Sequence, residues 1–213
     1  MVTQINVANL AFWMLFRIIS NPETLKLVRS EIEGRVKREN GMNMVKVDHQ
    51  YLMRHCPVLK GCFFEALRLH SEPWSVRKLE KDIKVVEKSG ELVLLKAGQY
   101  LTVPHTVYHL DPENFQDPYH FNAKRFISRE ENEKLNAQRG IMNPFGVGFS
   151  KCKGIAIAEA ECVSFVACLL ATLDLRLVDK TWRLPASQRT TGVTSPVIDC
   201  RVFGKLRNIQ DTH

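Results

Sequence analysis

Cys152 stands in Asn143-Pro144-Phe145-Gly146-Val147-Gly148-Phe149-Ser150-Lys151-Cys152-Lys153-Gly154, a glycine-bearing loop directly before a long apolar stretch. That stretch reads as a helix, so the sulfur faces a helix N-terminus and two lysines, a setting that suits a metal-bound thiolate. Gly148 and Gly154 let the backbone pass close to a flat cofactor and turn amide hydrogens toward the sulfur, while Phe145 can pack under the ring. The bland alternative is a free cysteine in a turn. A second constellation is Glu65 and Arg68, three residues apart in a run that also holds Phe63, Phe64, Leu67 and Leu69. At that spacing such a pair is usually solvated, but the apolar crowd predicts burial, and a buried pair requires further partners.

The elements that must position these residues follow from periodicity. Ala8, Ala11, Phe12, Leu15, Ile18 and Ile19 recur at helical spacing within 1–20. Ser20-Asn21-Pro22 ends that helix and starts another, expected over Glu23 to Arg38 with one charged face. The Glu-Arg helix is expected over 57–70. From 75 to 103 the period changes to two, with Ser89-Gly90 and Ala97-Gly98 as breaks, which predicts a small antiparallel sheet. Residues 109–140 are polar and loop-like, 143–154 form the cysteine loop, and 155–173 form a helix apolar nearly all round and so expected to be buried. Residues 174–207 are strand-like, broken by Pro185, Gly192 and Pro196. The fold class is therefore mainly α with small antiparallel β-sheets (α+β).

The chain has 213 residues, 45% of them hydrophobic, with a net charge of +7. Such a composition supports a globular core rather than disorder. Cysteines at 56, 62, 152, 162, 168 and 200 form no CxxC pair and no zinc spacing, and no secretory leader points to disulfides. The basic residues are dispersed without an aromatic stacking platform, which argues against nucleic acid. Val7 to Ile19 contains Asn9 and Arg17 and falls short of the roughly 20 residues a membrane span needs.

Phe145, Gly148, Cys152 and Gly154 reproduce F-x-x-G-x-x-x-C-x-G, and the chain resembles the C-terminal, haem-binding half of the cytochrome P450 family from about residue 3 to residue 207. The order of elements is the family's own. Within it, the resemblance is nearest to the branch holding cholesterol 7-alpha-hydroxylase, oxysterol 7-alpha-hydroxylase and prostacyclin synthase. Gln4-Ile5-Asn6, Ala11-Phe12-Trp13, Asn21-Pro22-Glu23, His109-Leu110-Asp111-Pro112-Glu113 and the spacing from Glu65 to Arg77 carry that likeness.

The resemblance implies haem b with Cys152 as iron ligand and a network of Glu65, Arg68 and Arg125 bracing the haem's proximal side. Arg125 lies in Ala123-Lys124-Arg125-Phe126, where the family usually has Pro-Glu-Arg-Phe. Arg77 is implied to pair with a haem propionate, and residues 70–76 and some of 191–196 to face the substrate. Family members usually carry an acid and a threonine in the first helix. Here Asn6 is the implied replacement, which leaves hydroxylation and isomerisation both open.

The activity implied is a monooxygenase acting on a sterol-, terpenoid- or other secondary-metabolite-like substrate. Electrons would come from NADPH through a reductase docking near Lys151 and Lys153. A full-length relative is expected at the endoplasmic reticulum membrane, on its cytoplasmic face. The chain is less than half of a full family member, so the first sheet, the access helices and the anchor are expected to lie outside it. An exposed apolar face on residues 7–19 is expected to follow. A truncated, non-catalytic haem-binding fragment is one alternative, and an unrelated helical binding protein is another.

Overall fold

A computed structural model describes residues 2–38, 45–127, 142–178, 187–188, 192–197 and 199–207. Helix α1 (Val2–Ile19) is central, packing against α2 (Pro22–Ile32), α4 (Pro57–His70) and α6 (Ile155–Thr172). Trp13, Met14 and Ile18 are wholly buried in it. The expected exposed face on residues 7–19 is therefore absent, because the other helices cover the α1 stripe of Leu10, Trp13, Met14 and Ile18.

Local chemistry sets the helix ends. Asn21 accepts the Thr24 amide at 3.0 Å ahead of Pro22, which starts α2 as the sequence suggests. The helix stops at Ile32 and does not reach Arg38, since Gly34 adopts φ +67° and turns the chain. Val36–Arg38 (β1) instead pairs antiparallel with Val45–Val47 (β2). A short helix absent from the sequence reading, α3 (His49–His55), starts where Asp48 accepts the Tyr51 amide at 2.9 Å. The N-cap of α4, Cys56, offers no side-chain bond. Glu31 of α2 supplies it in trans, accepting Val58 N–H at 2.8 Å and Leu59 N–H at 2.9 Å.

The strands form two-stranded antiparallel ribbons. The sheet expected over 75–103 is two of them: β4 (Trp74–Lys78) with β7 (Tyr100–Pro104), and β5 (Ile83–Val86) with β6 (Leu92–Leu95). Strand β3 (Ser71–Glu72) pairs with β10 (Gly192–Val193), β9 (Ser187–Gln188) with β11 (Ser195–Pro196), and β8 (Leu173–Leu177) with β12 (Val202–Leu206). Between β7 and the cysteine loop lies the single-turn helix α5 (Thr106–His109).

Helix α6, expected to be buried, is buried on its inner face. Cys162, Val163, Val166, Ala167 and Leu170 face the core, but Ile157 is 63% exposed and Phe165 52%. By length and composition α6 is apolar enough to cross a membrane, yet its inner face packs on α1, α3 and α4 as a core helix does. The result is a mixed structure of helices and small antiparallel ribbons. Of the regions anticipated from sequence, 128–140 of the polar loop and 179–186, 189–191 and 198 of the strand-like stretch lie outside the described residues.

Candidate functional site

Glu65 and Arg68 are both fully buried on α4. Arg68 forks onto the carboxylate, Nε to Oε2 at 2.9 Å and Nη2 to Oε1 at 2.8 Å. Its Nη1 donates to the His109 and Pro118 carbonyls at 2.8 and 2.6 Å, and Nη2 also reaches His120 O at 3.5 Å. All five guanidinium N–H groups thus have acceptors, the condition under which a buried charge is tolerated. Glu65 Oε1 further accepts Arg125 Nε at 3.0 Å and the Asn122 amide at 3.1 Å. Arg125 extends the network through Gln116 O at 2.7 Å and Asp117 O at 3.3 Å. The structure brings the three residues together, with α4 as the platform and residues 116–125 wrapped on it.

Gly61 explains how that loop comes so close. It is buried on α4, and a Cβ there would run into the Ala123 carbonyl oxygen. A glycine in mid-helix costs propensity, and here it makes room for the loop that carries Arg125.

The cysteine loop enters from Met142, and Gly146 and Gly148 both take positive φ, +73° and +66°. A 3-10 turn over Gly148–Ser150 delivers Cys152 to the head of α6. Cys152 N–H donates to Phe145 O at 2.9 Å, and Gly154 N–H donates to Cys152 Sγ at 3.4 Å. Phe145 is half-buried against the main core. Arg77 reaches this loop from β4, donating from Nη2 to Val147 O at 3.2 Å and from Nη1 to Val76 O at 2.8 Å.

Cys152 is the exposed cysteine of the six. Burial pushes the thiols of Cys56 and Cys162 up to about 12 and that of Cys62 higher still, which keeps them protonated. Among the described residues no group of three His, Cys, Asp or Glu side chains could hold a metal ion. A lone exposed sulfur such as that of Cys152 could hold a metal whose other ligands come from a cofactor. Nothing lies within 4 Å of a Cβ built on Gly148, which leaves the backbone there open to a flat partner.

Other anticipated positions lie elsewhere. Asn6 on α1 accepts the Val193 amide through Oδ1 at 3.0 Å, so that oxygen braces β10. His70 and Thr194, expected to face substrate, are sealed against α1. The His70 ring stacks on Trp13 at 4.0 Å, its carbonyl accepts Thr194 N–H at 2.8 Å, and Trp13 Nε1 donates to Thr194 O at 2.6 Å. Arg17 Nε donates to His70 Nε2 at 3.1 Å. Burial lowers the Arg17 guanidinium to about 10 and holds His70 well below the usual imidazole range, with Arg17 and Arg68 adding to the latter. Thr191 lies outside the described residues. Sequence reasoning also missed His109, which lies wholly buried between Arg68 and the cysteine loop.

Comparison with known proteins gives these features a family. The chain is 27% identical to a 7-alpha-hydroxycholest-4-en-3-one 12-alpha-hydroxylase of Oryctolagus cuniculus, covering 98% of this chain and 44% of that protein. It is 29% identical to prostacyclin synthase of Homo sapiens, over 96% of this chain and 43% of the relative. To a cholesterol 7-alpha-monooxygenase of Cricetulus griseus the figures are 27%, 97% and 44%. The chain thus spans less than half the length of these curated relatives. The family model described as Cytochrome P450 matches residues 6–198, most of the chain, and the chain belongs to the cytochrome P450 family.

Proposed function

We propose that this chain is the haem-thiolate part of a monooxygenase acting on a hydrophobic, sterol-like molecule, with Cys152 as the iron ligand. The observation that carries this reading is the exposure of Cys152 in a glycine turn at the head of α6, while the buried Cys56, Cys62 and Cys162 are held as thiols. Haem b bound there supplies the activation of dioxygen and the insertion of one oxygen atom into a C–H bond.

The chain's own residues hold and tune the group. Gly154 N–H donates to the sulfur and tempers its charge. Gly148 would leave the backbone open to the flat group, and Phe145 roots the loop in the core. Arg77, exposed beside Val147, is a forked donor suited to a haem propionate. The Glu65, Arg68 and Arg125 network fixes the loop that crosses α4. Asn6 would offer its amide nitrogen to a water or substrate oxygen, its Oδ1 being engaged by Val193.

Lys151 and Lys153 flank the ligand on an exposed face. They suit the acidic surface of an NADPH-dependent reductase, the proposed electron source. Microsomal membrane association belongs to the same reading. A second reading, a haem-thiolate isomerase, draws on Asn6, an amide where an acid would deliver protons, and on the similarity to prostacyclin synthase.

The test is to express the chain with haem supplied, reduce it, add carbon monoxide and record the difference spectrum, with Cys152→Ala beside it. A thiolate-type Soret band lost in the variant is the expected result. A band of equal size in both would overturn Cys152 as ligand. Haem uptake only when the remaining length of the relatives is supplied would assign the chain as a non-catalytic fragment by itself.

A further inference from the structure

His109 ends the single turn of α5 and is fully buried. Its backbone carbonyl accepts Arg68 Nη1 at 2.8 Å, and its ring Nε2 faces the Asn143 amide at 3.2 Å. A backbone amide can only donate, so Nε2 must carry a lone pair and the ring proton must sit on Nδ1. Nδ1 has no hydrogen-bond partner among the described residues. The acceptor that Nε2 offers to the Asn143 amide is what a histidine adds here over an apolar side chain of similar size.

From Asn143 the path to the sulfur is short. Asn143 O accepts Gly146 N–H at 3.1 Å, and the adjoining Phe145 O accepts Cys152 N–H at 2.9 Å. We propose that His109 is a positioning residue for the cysteine loop, its neutral ring tying Asn143, and through it Cys152, to the Arg68 network. The charged environment agrees. Burial, then His105 and Arg68, lower the ring to about 4, which keeps the acceptor available at neutral pH. The functional meaning of this tie rests on the reading of Cys152 as iron ligand, but the tie itself does not.

The test measures hydrogen exchange over residues 142–154 in the whole chain carrying His109→Leu or His109→Gln. Glutamine places an amide oxygen near the position of Nε2, so it restores the acceptor. Leucine is expected to speed exchange in the loop on the order of tenfold, with α4 unchanged and glutamine near the wild type. With haem bound, the thiolate-type fraction should fall in the leucine variant and recover in the glutamine variant. Equal loop exchange in all three proteins, or equal loss in both variants, would overturn the proposal. Should the leucine variant fail to fold, nitrogen NMR of the wild-type ring still decides. A neutral Nδ1–H tautomer supports the tie, and an Nε2–H tautomer or a protonated ring at neutral pH overturns it. If instead Cys152→Ala keeps its thiolate band, the ligand assignment fails while exchange and tautomer still report on His109.

Discussion

At the residue scale, Arg68 is the side chain on which most depends, because one planar fork serves a carboxylate and three carbonyls at once. Arg68→Lys keeps the charge but offers three donors from one point, so it cannot reach Glu65, His109 O and Pro118 O together. The expected loss is about 3 kcal/mol, within the range for breaking a buried pair, read as a lower urea midpoint at unchanged slope. Glu65→Gln should cost a similar amount by leaving the buried Arg68 and the half-buried Arg125 without their carboxylate. A variant as stable as the parent would mean that water or a rearranged loop supplies the missing hydrogen-bond partners. The burial and pairing of Glu65 with Arg68, and the place of Cys152 in a turn at the head of α6, were legible in the sequence because each has a local signature, a helical spacing or a glycine loop. Arg125 was placed by resemblance in the order of motifs. His109 was not legible as a site residue, since its ring partner Asn143 is 34 positions away and nothing in the intervening sequence joins them.

At the element scale, Gly61 shows how two opposed effects are decided. Alanine would gain about 1 kcal/mol of helix propensity over glycine. Its methyl, however, would overlap the Ala123 carbonyl, a backbone atom that no rotamer change can move aside. Overpacking of that kind costs about 3 kcal/mol at its upper end, so Gly61→Ala should destabilise despite the better helix former. Thermal unfolding checks the sign, and a raised midpoint would mean that residues 121–127 do not sit on α4. The helices α1 and α4 were legible from their apolar period, and α2 at its start from Asn21-Pro22. Its early end was not. Val36 and Val45 fit helix and strand alike, and the register of Val36 opposite Val47 is a tertiary outcome. The exposed outer face of α6 was likewise hidden, because a helix apolar nearly all round carries little phase from which to read which side is covered.

At the scale of the whole molecule, burying neutral histidines ties stability to pH. His109 is lowered from 6.5 to about 4 and His70 well below 6.5, each chiefly by burial. Above the unfolded value both rings are neutral in either state, and their contribution is fully present. As pH falls from about 6.5 toward 4, the unfolded chain takes up protons that the folded chain refuses, so stability is lost through that window. For His109 alone the loss reaches about 3 kcal/mol. Glu31, raised above 4.5 by its burial, works in the opposite sense, but nearer the acid end of the window. The net expectation is a urea midpoint that drops steadily between pH 7 and pH 5, before most carboxylates titrate. His109→Gln, which keeps the acceptor but cannot be protonated, should remove about one proton from that slope. An unchanged slope in this variant would place the His109 ring in contact with water and deprive it of the burial on which both its neutrality and its hold on the cysteine loop depend.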